Sequence, residues 1–316
     1  MSAISLNNIT KTYNKGTVLA IDDISFDIEK GEIFGLIGPD GAGKTSIFRI
    51  LTTLLLPDKG TATVVGNDVV KDYKKIRGIV GYMPGRFSLY QDLTVEENLN
   101  FFATVFGTTV KENYENIKDI YVQLEPFKDR RAGKLSGGMK QKLALCCALV
   151  HKPEVLFLDE PTTGVDVVSR KEFWEMLKRL KEQGITIMVS TSYMDEATLC
   201  DRIALIIGGK ILSMDTPDKI VQAYPEKLYA IKSPKMHQLI RDIRSNDSIL
   251  NCYASGEFIH LSFKEEGKDN ETSLKKYLED KGQTDIVFKP TTPTVEDCFI
   301  RLLSVNSEQR IVNSEQ

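Results

Sequence analysis

The chain has little that would carry it into a membrane or build a metal or disulfide framework. Its longest uninterrupted apolar run, Leu143 to Val150, is far below the roughly 20 residues that cross a bilayer. The start, Met1-Ser2-Ala3-Ile4-Ser5, lacks a secretion-signal pattern, so the expected location is the cytoplasm. Cysteine is sparse. The five residues (Cys146, Cys147, Cys200, Cys252, Cys298) are odd in number and include no Cys-x-x-Cys pair, which fits reduced thiols and not disulfides or zinc. An excess of one charge is also missing: 41 basic against 44 acidic side chains leave a net charge of -3, with no whole-chain footprint for nucleic acid.

What is present is length enough for one large and one small domain, 316 residues in all. From Ile4 to Ile28 apolar residues alternate around turn residues at Asn14 to Gly16, which predicts an antiparallel sheet. An unbroken apolar strand, Ile33 to Ile37, then a glycine-rich turn and a helix from Lys44 to about Leu55 open an α/β core. Buried strands are expected at Val155 to Leu158 and Ile185 to Val189. A mostly helical section, Thr94 to Val150, and a helix at Arg170 to Lys181 lie between and beside them. The expected domains are 1–215, a linker 216–227, a second domain 228–305 and a disordered polar tail 306–316. In the second domain the order strand, helix, strand, strand, helix, strand suits a small ferredoxin-like α+β unit. Thr294-Val295-Glu296-Asp297 is expected to cap a last helix that exposes Phe299, Leu302 and Leu303 to a partner.

Chemistry concentrates in three segments. The first, Gly38-Pro39-Asp40-Gly41-Ala42-Gly43-Lys44-Thr45 with Ser46 after it, fits G-x-x-x-x-G-K-[ST] between a strand and a helix. Such a loop wraps backbone N–H groups around phosphates, with Lys44 at the β- and γ-phosphates and Thr45 offering an oxygen to Mg²⁺. By itself this loop makes the first domain a P-loop NTPase core that binds a nucleoside triphosphate. The second segment is Val155-Leu156-Phe157-Leu158-Asp159-Glu160, a strand running into two carboxylates: Asp159 is placed to hold Mg²⁺ and Glu160 to polarise an attacking water.

The third segment, Leu135-Ser136-Gly137-Gly138-Met139-Lys140-Gln141-Lys142, resembles the signature of the ABC ATPase family. The resemblance covers Ile4 to Asp215 and implies a core with an antiparallel β subdomain and a helical subdomain. In the family the signature turn grips the γ-phosphate held by a partner, so Ser136, Gly137 and Gly138 imply two ATPs sandwiched in a head-to-tail dimer. By the same resemblance Tyr13 stacks on adenine, Asp166 in Gly164-Val165-Asp166 crosses the dimer interface, and Ser190 to Ala197 forms a switch segment. Leu89 to Leu99 resembles the stretch that touches the permease.

Two positions depart from the family. Gly85 stands where a Gln is usual and Ser192 where a His is usual, and losing one preorganised donor typically costs about 10² to 10³ in rate. Slow turnover by Glu160, Lys44 and Ser192 follows. The resemblance implies a motor subunit, peripheral on the cytoplasmic face of the membrane. It would pair with a second ATP-binding subunit, as homodimer or heterodimer, and with a separate permease. The small second domain is similar to that of exporter ATPases with ABC-2 type permeases. The alternative is a soluble ABC ATPase acting on ribosomes or DNA, which would resemble two fused cassettes or carry a long coiled coil; this chain shows neither.

Overall fold

A computed structural model describes residues 2–267 and 269–304 in full and the backbone of the last helix to Ser314. The chain separates between Ile220 and Val221 into two compact units. The tail expected at 306–316 lies outside the fully described residues.

In the first unit, β1 (Ser2–Tyr13) and β2 (Val18–Glu29) pair antiparallel around a turn in which Asn14, Lys15 and Gly16 all have positive φ. β3 (Ile33–Ile37) leads through the glycine loop into α1 (Lys44–Leu51). This helix stops four residues before the expected Leu55, because Thr53 turns to φ +62° and the amides of Leu54 and Leu55 both close back on the Arg49 carbonyl. β4 (Lys59–Val64) and β5 (Asn67–Asp68) complete a four-stranded antiparallel sheet in the order β2-β1-β4-β5. α2 (Tyr73–Ile79) and β6 (Val80–Met83) follow. The helical section resolves into α3 (Val95–Val105), α4 (Tyr114–Tyr121) and α5 (Gly137–Leu149). α3 starts at a complete capping box, Thr94 with Glu97.

β7 (Val155–Asp159), α6 (Val167–Glu182), β8 (Thr186–Thr191), β9 (Arg202–Ile207), β10 (Lys210–Asp215) and α7 (Pro217–Gln222) close the sequence of elements. The second sheet has the order β10-β9-β3-β8-β7-β6, parallel from β9 to β6 with β10 antiparallel at the edge. Every residue of β3, β7 and β8 is buried, as expected for strands covered on both faces. Phe26 of the first sheet stacks on Phe34 of the second at 5.3 Å, and Phe48 of α1 meets Phe157 edge-on at 6.0 Å. These rings lock the two sheets and the helix after the loop into one apolar core.

The second unit runs β11 (Leu228–Lys232), α8 (Met236–Arg244), β12 (Ile249–Ser255), β13 (Phe258–Phe263), α9 (Asn270–Asp280), β14 (Val287–Thr291) and α10 (Val295–Ser314). Its sheet order β12-β13-β11-β14, antiparallel throughout, is the ferredoxin-like arrangement. β14 runs on through Pro290, which an edge strand tolerates because its missing N–H leaves no ladder bond broken on the inner side. Thr294 and Asp297 form the expected cap: Asp297 accepts from the Thr294 amide and hydroxyl, each at 2.7 Å. The expected exposure of Phe299 is corrected, since it is buried, and Leu302 and Leu303 are half-buried. Burial takes Phe299 itself out of the surface offered to a partner.

Candidate functional site

Three parallel strands, β3, β8 and β7, lie side by side, and their carboxyl ends open on one crevice, the place where α/β sheets take ligands. β3 delivers the loop Gly38 to Lys44, β8 delivers Thr191 and Ser192, and β7 delivers Asp159 and Glu160. The Gly38 amide donates to the Thr191 carbonyl at 3.2 Å, tying the first two together. Gly43 has φ +105°, and a Cβ there would lie 2.4 Å from the Ala20 carbonyl oxygen, so only glycine passes the loop beneath β2. α1 then starts at Lys44 directly after the loop, with no side chain capping its first turn. Lys44 is buried, and its ammonium donates to the carbonyls of Gly38 (2.7 Å) and Pro39 (3.0 Å). It also stands 3.1 Å from Glu160 Oε1. Asp40, Gly41 and Thr45 are exposed, while Ala42 and Ser46 are buried. The Tyr13 hydroxyl lies 3.0 Å from Ser46 Oγ, which fixes that ring at the foot of the loop.

On the other wall, Asp159 is buried and accepts from the Ser190 hydroxyl at 2.5 Å. Glu160 has φ +50°, and its amide donates to both the carbonyl (3.1 Å) and the hydroxyl (3.0 Å) of Ser190. Ser192 is half-buried at the end of β8. Gly85 sits against the backbone of these two residues: a Cβ there would lie 3.1 Å from the Asp159 carbonyl oxygen and 3.7 Å from Glu160 Cβ. Tyr82 has its phenol pushed up to about 12, by burial first and by the Asp159 charge second, so it stays protonated beside the site.

The signature turn is built separately. Ser136 caps α5 by accepting from the Met139 amide at 3.3 Å. Ser136 and Gly137 are exposed and Gly138 is buried, its missing side chain giving room to Ser169 of α6. Among the described residues, no hydrogen bond or ion pair joins Ser136, Gly137 or Gly138 to the Gly38–Lys44 loop of the same chain. Asp166 is exposed and caps α6 by accepting from the Ser169 amide at 3.0 Å, which holds its carboxyl below the usual range. It is flanked by the strongly exposed Val167 and Val168.

The family described as ABC transporter matches residues 21–163. The Nod factor export ATP-binding protein I of Sinorhizobium fredii is 36% identical over 316 residues, 95% of this chain and 85% of that protein. The chain belongs to the ABC transporter family. A probable multidrug ABC transporter ATP-binding protein of Escherichia coli is 38% identical over 307 residues, 96% of this chain; the chain spans about half of that relative, 52% of its length. A doxorubicin resistance ATP-binding protein of Mycobacterium tuberculosis is 38% identical over 256 residues, 80% of this chain and 75% of the relative. Among solved structures, a dimeric ATP-binding cassette in a post-hydrolysis state bound to ADP and phosphate superposes with a TM-score of 0.62 at 26% identity, covering 67% of this chain and 98% of that one. A subunit of a Clostridium perfringens ABC transporter complex gives 0.63 at 25% identity, over 70% of this chain and 91% of that one.

Within this ABC ATP-binding domain, two sets of contacts had escaped the sequence, although Ser190 and Glu196 lie in the segment named from it. Ser190, 31 positions after Asp159, comes to that carboxylate only through the pairing of β7 with β8. Arg170 of α6 bonds Glu196 (3.2 Å) and Asp195 (3.0 Å) of the segment expected to be the switch and lies 4.3 Å over the Tyr193 ring. Thr162 adds a 2.7 Å bond to the buried Glu196, so α6 and that segment are tied together. An apolar groove of about 380 Å³ opens beside the helical section, lined by Phe87, Leu89, Phe102, Val105, Phe106 and His151 among others. The expected contact stretch Leu89 to Leu99 supplies only Leu89 to it. His151 stacks on Phe106 at 3.6 Å, and burial lowers its pKa, so the ring is neutral at pH 7.

Proposed function

We propose that the chain is the ATP-hydrolysing motor subunit of an exporter, working with a second ATP-binding subunit and an ABC-2 type permease on the cytoplasmic face of a membrane. The observation that carries this is the 3.1 Å pairing of Lys44 with Glu160 inside the glycine loop. The cation that would hold the β- and γ-phosphates and the carboxylate that would activate water meet at one point. When a triphosphate enters, Lys44 exchanges the carboxylate for phosphate oxygens, and Glu160 is released to accept a proton from the attacking water. Loop amides and the start of α1 take the remaining phosphate charge. Thr45 and the free oxygen of Asp159 are hard donors of the kind Mg²⁺ takes, and the ion would screen the phosphates there. The exposed Ser136-Gly137 turn, unattached to its own loop, is free to cap the γ-phosphate of a partner, with Asp166 beside it. Tyr13 would offer its ring to adenine. With Gly85 and Ser192 in place of the usual Gln and His, turnover is slow.

The groove beside α3 suits an apolar helix of a permease, since it exposes Phe106 and Val105 instead of burying them. Specific capture of this chain from membranes by a co-expressed permease, lost on Phe106→Asp while ATP binding persists, tests the assignment. Equal recovery of parent and variant with membranes, or recovery of both with ribosomes, would overturn it.

A further inference from the structure

Ser190 has two bonds that nothing in the motif pattern requires. Its hydroxyl hydrogen goes to Asp159 Oδ1 at 2.5 Å, and its oxygen receives the Glu160 amide at 3.0 Å. The residue is wholly buried between β7 and β3, so water cannot replace either bond. One oxygen thus sits between the two carboxylate residues on which the site depends. It turns Asp159 so that Oδ1 is occupied, and among the described residues no donor reaches Oδ2. It also steadies Glu160, whose φ of +50° is one that a residue with a side chain seldom adopts.

We infer that Ser190 is the positioning residue of this site, a hydroxyl clamp that orients Asp159 toward the metal and Glu160 toward water. The backbone carbonyl of Ser190 also accepts the Glu160 amide, at 3.1 Å, so the strand-to-turn path survives removal of the hydroxyl. Ser190→Ala therefore isolates the hydroxyl. A buried hydrogen bond to a charged group is worth roughly 10- to 100-fold in an equilibrium. The inference rests on the proposed role of Asp159 toward Mg²⁺.

Calorimetric titration of the whole protein with ATP, in magnesium and in EDTA, tests it. The ratio of the two affinities is the magnesium enhancement. In Ser190→Ala the EDTA affinity should stay at the parent value, because Lys44 and the loop amides are untouched, while the enhancement falls about 10-fold or more. Ser190→Thr, which keeps the hydroxyl, should restore it. An unchanged enhancement in Ser190→Ala overturns the inference, and so does equal loss in both variants, which would make the effect one of packing. Loss of the EDTA affinity in Ser190→Ala would place the hydroxyl in the loop's support and overturns it too. A parent that shows no magnesium enhancement refutes the proposed role of Asp159 itself.

Discussion

Replacing Gly85 by Gln should speed ATP hydrolysis, and the size of the gain can be worked out. Gly85 is exposed and its φ lies outside the left-handed region, so the backbone accepts a side chain there. Its Cβ would lie 3.1 Å from the Asp159 carbonyl oxygen, tight enough that the neighbour must yield by a few tenths of an ångström. Mild overpacking of this kind costs about 1 kcal/mol. One preorganised donor at a transition state contributes about 2.7 to 4 kcal/mol. The donor's contribution, converted at 1.36 kcal/mol per tenfold, is an acceleration of roughly 10²- to 10³-fold, while the crowding, common to ground and transition state, appears as a loss of fold stability. Gly85→Ala supplies the control, because it brings the crowding without the amide and should turn over at or below the parent rate. Single-turnover phosphate release at saturating ATP reads both. If Gly85→Gln and Gly85→Ala run alike while both bind ATP, the missing amide does not limit this site and slow turnover has another source.

Gly138→Ala should destabilise the first unit by about 1 to 3 kcal/mol in denaturant titration, since the new Cβ would fall 2.9 Å from Ser169 Cβ; adding Ser169→Gly should return most of it. In the second unit the Asp297 carboxyl is held at about 2, because hydrogen bonds from His260, Thr294 and Tyr253 outweigh the burial that would raise it. A folded value below the ordinary 3.8 gives stability that is complete above that pH and lost as the pH falls toward 2, about 2 kcal/mol in all. Denaturant titrations between pH 5 and 2 should show this loss in the parent, and Asp297→Asn should flatten that part of the profile.

The places of the glycine loop, the carboxylate pair and the signature turn between their strands and helices were legible because each is a contiguous run whose spacing already contains its geometry. Lys44 lies one residue past the turn, Glu160 at the end of its strand, and Ser136 three residues before the amide it caps. Ser190 was named only as the first residue of the switch segment; its bond to Asp159 was not legible, because which β8 side chain faces Asp159 depends on a strand register that local sequence does not state. The Arg170 and Glu196 pairing spans 26 positions and belongs to the same class of contact. Phe299 shows the limit for helices: the cap at Thr294 marked where α10 starts, and only packing decided that Phe299 is buried. Pro290 shows it for strands, where proline argues for an ending that an edge position does not enforce.

Glu160→Gln tests the central claim most directly, with ATP affinity and single-turnover cleavage measured on the same preparation. The amide loses the base and the charge facing Lys44 but keeps the shape. ATP binding should hold or tighten, because Lys44 no longer has a competing carboxylate at 3.1 Å, and cleavage should fall by about 10² to 10⁴. Cleavage at the parent rate with binding intact would show that Glu160 is not the base and that the crevice at the ends of β3, β8 and β7 does not hydrolyse ATP as described.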